Sequence, residues 1–195
     1  LESIKNNDRI YFKEESMSNI LILSGSKRKG GNTDTLAASF AEGAKLHNTV
    51  ETISIHDYKI RPCTGCNHCF KTEEHKCKKR DDMRYVYKKL AEADVVVIAS
   101  PVYFYGISSQ LKSVVDRLHN PIRNSFHVKK LGLLLVGGAS IPNLFDAIKL
   151  QYNMILKFFN LEDIGNVCVS GVREVGAING NAALKDAYEM GARIE

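Results

Sequence analysis

The 195-residue sequence predicts an α/β fold in which one parallel sheet is covered by helices on both faces. Three observations predict it. Short apolar runs recur along the chain, and several are almost continuously apolar, as strands buried on both faces must be. Between them lie segments whose apolar residues follow helical spacing. Parallel neighbours need crossover connections, and the intervening helices supply them.

The candidate strands are Ile20–Ser24, Val50–Ile55, Val95–Ser100, Leu131–Val136 and Val167–Ser170. The helical faces can be checked by position. Leu36, Phe40 and Ala44 follow the first strand, and Met83, Val86, Tyr87 and Leu90 precede the third. Leu111, Val114, Val115 and Leu118 follow the third strand, and Leu144, Phe145, Ile148, Tyr152, Ile155 and Phe159 form a longer stripe before the fifth. These read as core faces. Asp81 and Asp82 mark an acidic helix start, and Ser108 or Ser109 offers a cap. Residues 1–16 are polar and aperiodic and read as a tail, so the domain is expected over 17–195.

In a sheet of this kind ligands bind beyond the carboxyl ends of the strands. The loop after the first strand, Gly25–Thr33, combines glycines, hydroxyls and three consecutive cations before a helix, the composition of an anion site at a helix N-terminus. A Walker A loop is excluded, because Gly31-Asn32 stands where Lys-Ser/Thr would follow Gly30. The Gly-x-Gly-x-x-Gly pattern of dinucleotide folds is also missing. Ser26, Thr33, Asn32 and the loop N–H groups can surround a terminal phosphate, and Arg28 can clamp it. After the third strand comes Pro101-Val102-Tyr103-Phe104-Tyr105-Gly106, three aromatics where a loop is ordinarily polar. Such a loop suits the face and edge of a planar ring, surface packing or a subunit interface. Gly137 and Gly138 after the fourth strand allow close backbone approach on another side.

Together, Gly-Ser-x-Arg-x-x-Gly-Asn-Thr after strand one, Ser-Pro-Val-Tyr-Phe after strand three and the helix Gln110–Arg117 resemble the NADPH-dependent FMN reductase-like branch of the flavodoxin superfamily. The resemblance runs from about Met17 to the end. It implies a flavodoxin-like three-layer sandwich with strand order 2-1-3-4-5. It also implies bound FMN, with Ser26, Arg28, Gly31, Asn32 and Thr33 on its phosphate, and Pro101, Val102, Tyr103, Phe104, Gly106 and Gly138 along its ring. NADPH or NADH is the implied electron donor. Asp116 and Arg117 match a recurrent charged pair of that family.

Cys63, Cys66, Cys69 and Cys77 crowd an insertion at about 57–80, while Cys168 lies in an apolar run and reads as core. Four close thiolates suit an iron–sulfur cluster or a tetrahedral zinc. The spacing departs from the ferredoxin run, whose fourth cysteine precedes proline. It resembles the iron-sulfur flavoproteins, a subgroup of the same family, which implies a [4Fe-4S] cluster exchanging electrons with FMN. A metal-free cap over the flavin is the alternative. His68, inside the run, is the one histidine singled out as a ligand or proton donor.

No catalytic triad or paired acid/base constellation is visible, so the chemistry is expected to belong to the flavin. The net charge of +5 is modest and local, which argues against nucleic acid. No long apolar span suggests a membrane helix, and the cytoplasm is the expected compartment. Lys76–Arg80 form a basic patch suited to a nicotinamide phosphate or an acidic redox protein. The expected function is an FMN-dependent oxidoreductase with a small-molecule redox substrate, assembled as a homodimer or homotetramer. A one-electron carrier and a cysteine-based redox sensor are the rival readings.

Overall fold

The computed structural model describes residues 17–195, and the expected tail at 1–16 lies outside the described residues. The elements run β1 (Asn19–Ser24), α1 (Asn32–Ala44), β2 (Thr49–Ser54), α2 (His68–Lys71), α3 (Met83–Glu92), β3 (Val95–Pro101), α4 (Ser109–Val115), β4 (Lys130–Val136), α5 (Asp146–Phe159), β5 (Glu162–Val169) and α6 (Ala183–Ala192). The five strands form one parallel sheet in the order β2-β1-β3-β4-β5. This is the flavodoxin-like arrangement. β1 and β3 lie side by side, so the loops that follow them leave the sheet together at its carboxyl edge.

Alternation along the central strands sends side chains into two cores. Ile20, Ile22, Val95 and Val97 pack against α1 and α6. Leu21, Leu23, Val96 and Ile98 pack against α3, α4 and α5. The helical faces read from spacing are the ones turned inward: Met83, Val86, Tyr87 and Leu90 of α3 are all buried, as are Leu111 and Val114 of α4. Ser108 is the cap of α4, its Oγ accepting from Leu111 N at 3.4 Å.

Two departures from the sequence reading have physical causes. β5 begins at Glu162 rather than Val167, because this edge strand carries exposed polar residues and a register shift opposite Leu131–Leu133. Its first half therefore lacks an apolar signal. α6 has no counterpart in the sequence reading. Its buried residues Ala187, Met190 and Gly191 are small or sparse, and it meets α1 backbone to backbone. A Cβ on Gly43 would lie 2.0 Å from Tyr188 O, and one on Gly191 would lie 2.2 Å from Phe40 O. Only glycine permits that approach, which sets the axis of α1 and so the position of its N-terminus.

Candidate functional site

Between β1 and α1 the chain turns across Gly25–Gly31. Gly25 donates its N–H to Ala99 O of β3 at 2.8 Å, and a Cβ there would lie 2.5 Å from Ser108 Oγ. The loop therefore lies flush against the start of α4. Gly31 caps α1 with extended backbone and no side chain. The N–H groups of Asn32, Thr33 and Asp34 consequently meet no acceptor among the described residues. Free N–H groups at the positive end of a 13-residue helix form a receptor for an anion.

The side chains around this receptor divide into two kinds. Ser26 and Thr33 are buried at it, Ser26 Oγ donating to Arg28 O at 3.3 Å. Arg28 is exposed, and its Nη1 donates to Arg173 O at 3.1 Å. Lys29 reaches Asp57 at 3.5 Å. Asp34 holds the loop from inside, accepting from Ser24 Oγ at 3.1 Å and Gly30 N at 3.0 Å. Asn32, expected on the phosphate, has its side chain turned elsewhere. Its Nδ2 donates to Val172 O (3.1 Å) and Glu174 O (2.8 Å), and its Oδ1 accepts from Gly176 N (3.0 Å) and Ile178 N (3.4 Å). The amide is a bolt for the loop after β5, and Asn32 has its backbone N–H left for an anion.

That loop, Ser170–Asn181, is a fourth wall that the sequence reading missed. Its signal was a run of glycines, Gly171, Gly176 and Gly180, each at positive φ. Gly138 of the β4 loop faces it, with Arg173 Cα 3.5 Å from where a Cβ would stand.

The aromatic loop after β3 is a tight hairpin. Tyr103 and Gly106 exchange both backbone hydrogen bonds, at 2.9 and 3.0 Å. The two central residues, Phe104 and Tyr105, have φ of 46° and 63°, a left-handed conformation that normally falls to Gly or Asn. Strain of this kind costs about 1–3 kcal/mol per residue and collects at functional sites. Here it holds Phe104 98% exposed, with Tyr103 and Tyr105 also outward. The base of the hairpin is fixed: Val102 N donates to Val136 O at 2.8 Å, and fully buried Ser100 donates to Pro101 O (2.8 Å) and accepts from Ser108 N (3.0 Å). An anion receptor thus stands at the end of β1 beside a presented aromatic turn at the end of β3.

The sequence profile of the family described as NADPH-dependent FMN reductase matches residues 18–162. The chain belongs to the NADPH-dependent FMN reductase family. An iron-sulfur flavoprotein of Methanocaldococcus jannaschii is 43% identical over 124 residues, a match covering 62% of this chain and 62% of that relative. Another iron-sulfur flavoprotein, from Archaeoglobus fulgidus, is 31% identical over 177 residues, 87% of this chain and 76% of the relative. The same fold is seen in an NAD(P)H:quinone oxidoreductase from Methanothermobacter marburgensis, with a TM-score of 0.71, 13% identity and coverage of 92% of this chain and 100% of that one. Among the described residues no helix is long and apolar enough to cross a membrane.

Within this family fold, the segment between β2 and α3 carries the cysteines and is closed at its neck. Lys59 N donates to Asp82 Oδ2 (2.7 Å) and Arg61 N to Asp81 Oδ2 (3.0 Å). Arg117 Nη1 donates to the same Asp81 oxygen at 2.6 Å and to Arg61 O at 3.2 Å. The acidic pair is thus a clamp on the segment rather than a cap on α3, whose N-cap has no side-chain bond. Arg117 pairs with Asp81 and not with its neighbour Asp116, which pairs with Lys112. Burial works to raise the Asp81 pKa, but the bonds from Arg117 and Arg61 outweigh it and hold the carboxyl below its ordinary value.

The chain wraps in two left-handed turns, at Gly65 and Asn67, and α2 then carries Cys69. All four cysteines of the segment are free thiols. Gly65 N donates to Cys63 Sγ at 3.4 Å. Burial pushes the Cys69 thiol up, and Cys77, Cys63 and Cys66 push it further. The exposed Cys66 thiol is lowered, chiefly by the backbone N–H of His68, with Lys78 and Thr64 adding to it. Among the described residues, no three His, Cys, Asp or Glu side chains are drawn together as a metal site. His68 is exposed, and Phe70 stacks on His119 with ring centroids 5.8 Å apart, tying the segment to the turn after α4. Cys168, expected in the core, is half-buried on β5, where burial raises its thiol pKa.

Proposed function

We propose that the chain is an FMN-dependent oxidoreductase that draws electrons from NADPH or NADH and delivers them to a small-molecule or protein acceptor. The observation that carries this reading is the pairing of unpartnered α1 N–H groups with the strained aromatic turn on the neighbouring strand. The fit of the residues to FMN rests on that donor set: backbone N–H groups, Ser26 and Thr33 for a phosphate dianion, with Arg28 at the rim. Pro101–Gly106 and Gly138 then border the ring. A flavin in that position supplies hydride and single-electron chemistry, while the protein supplies orientation and electrostatics. No side-chain nucleophile is required.

The finer part of the reading is a [4Fe-4S] cluster on Cys63, Cys66, Cys69 and Cys77. Four soft donors share one short segment, a backbone N–H already reaches the Cys63 sulfur, and Lys78 helps the His68 N–H to lower the Cys66 thiol, whereas Cys69 is raised and the four side chains would have to draw together to hold a cluster. The likeness to chains named iron-sulfur flavoproteins supports it. The unpaired thiols are consistent with a reducing cytoplasm. A homo-oligomer is supported by Leu150, Met154 and Phe158, a stripe at i, i+4 and i+8 on the outer face of α5 that is 61%, 63% and 61% exposed.

The test is an absorbance spectrum with iron and sulfide analysis on protein purified without oxygen, followed by steady-state oxidation of NADPH and NADH. Flavin bands, iron and turnover are expected, and Cys69→Ser is expected to lose iron while keeping FMN. Flavin without iron would remove the cluster and leave the flavoprotein. Flavin with no turnover of either nucleotide would favour a one-electron carrier, a reading that the net charge of +5 disfavours because such carriers are typically acidic.

A further inference from the structure

The basic stretch 76–80 reads in the sequence as a surface patch, but part of it lines a recess. Lys76, Cys77 and Lys79 form one wall of a cleft of about 580 Å³ whose other walls come from α3, Arg117 and the turn after α4. Its floor is apolar and aromatic. Tyr87 and Phe126 meet there with ring centroids 6.2 Å apart, tilted by 37°, and Ala91 leaves the floor open beside them. The rim is cationic: Lys79 from the cysteine segment stands with Arg84 and Lys88 of α3, and no carboxylate lines the cleft.

Two features of that rim ask for an anion. Arg84 and Lys88 are one helical turn apart, where like charges repel. Lys88 is relieved by Glu92 at 3.8 Å and Lys76 by Glu74 at 2.7 Å, whereas Lys79 and Arg84 pair with no carboxylate among the described residues. Beneath them lies Arg117, with a side chain only 3% exposed. One of its nitrogens is bound to Asp81, but its Nε is buried with no hydrogen-bond partner. A buried guanidinium nitrogen without an acceptor is costly, and the Arg117 charge adds to the positive potential of the cleft that its side chain lines.

An apolar floor for a flat ring and a cationic rim for a multivalent anion together describe a nucleotide. We infer that this cleft binds a nucleoside diphosphate or triphosphate, its base lying over Tyr87 and Phe126 and its phosphates at Lys79 and Arg84. The volume lies within the range of ordinary small-molecule sites. An acidic protein would meet the exposed rim but would leave the recessed floor empty. The cleft shares Cys77 with the proposed cluster ligands but none of the residues assigned to FMN, so it borders the cysteine site and stands apart from the flavin site.

The experiment is calorimetric titration of the FMN-saturated full chain with ADP, inorganic pyrophosphate and polyglutamate in parallel. Saturation with FMN keeps ADP out of the phosphate loop of α1. One ADP per chain is expected, with pyrophosphate bound more weakly. Lys79→Ala with Arg84→Ala is expected to weaken ADP at least about tenfold, since each charge-assisted contact is among the stronger ones. Ala91→Phe fills the floor without changing charge, and is expected to abolish ADP binding while pyrophosphate still binds. FMN affinity is expected to be unchanged in both variants. Absence of ADP binding at millimolar concentration would overturn the inference, as would binding that neither variant weakens. Polyglutamate binding without ADP binding would also overturn it, and would make the rim a docking surface for an acidic protein.

Discussion

Asn32 carries one carbonyl and one amino group, and all of that capacity is spent on the loop after β5. A phosphate ligand can be exchanged with little effect on stability; a bolt cannot. Asn32→Ala is therefore expected to lower unfolding stability by at least about 2 kcal/mol, because buried N–H and C=O groups lose their partners. Asn32→Asp is expected to cost more at neutral pH, since it sets a carboxylate against the carbonyls of Val172 and Glu174. Urea denaturation of both variants checks this, and unchanged midpoints would return Asn32 to a role in ligand contact alone. Asp81 is the second residue of this kind, joining Arg61 and Arg117 at the neck of the cysteine segment. Its pKa is lowered in the folded state, so its stabilisation is fully present above the ordinary aspartate value of about 3.9 and is lost as pH falls through the lower folded value. Asp81→Asn is expected to flatten that acid limb of a stability–pH profile. At neutral pH it is expected to destabilise by about 3–5 kcal/mol, because Arg117 is left buried and unpaired.

At the scale of elements, what the sequence made legible was what apolar periodicity encodes. The strands at Ile20–Ser24 and Leu131–Val136 and the faces of α3 and α4 announce themselves because their burial is by large apolar side chains. α6 does not, because its burial is by backbone contact at Gly43 and Gly191, which leaves no hydrophobic stripe to read. The turn between β1 and α1 was legible from its glycines and hydroxyls. The direction in which Asn32 points was not, since its partners lie some 140 residues away in a loop of glycines. Likewise Asp81 and Asp82 looked like a helix start, and only the tertiary structure brings them to Lys59 and Arg61. The α1–α6 contact carries its own prediction. Replacing a helical glycine by alanine ordinarily stabilises by about 1 kcal/mol. Here Gly43→Ala and Gly191→Ala are each expected to lower the melting temperature, because the added methyl would meet a carbonyl oxygen of the facing helix at 2.0 or 2.2 Å. A raised melting temperature in either would contradict the packing described.

For the whole molecule, the sheet puts three features at different places. The anion receptor and aromatic turn stand at the carboxyl edge of β1 and β3, the cysteine segment is strapped over α3 and α4 by Asp81 and Arg117, and the apolar stripe of α5 faces outward. If a second copy covers that stripe, Met154→Glu is expected to reduce the mass measured by sedimentation to that of a single chain while leaving the far-ultraviolet spectrum intact. An unchanged mass would place the subunit contact elsewhere. The central claim is that the N-terminus of α1 receives the phosphate of FMN, and comparing FMN with riboflavin in binding to the flavin-free protein tests it most directly. The two share a ring and differ by the phosphate, so FMN is expected to bind at least about a hundredfold more tightly, equivalent to two charge-assisted hydrogen bonds. Equal affinity for the two, or binding of neither, would contradict it.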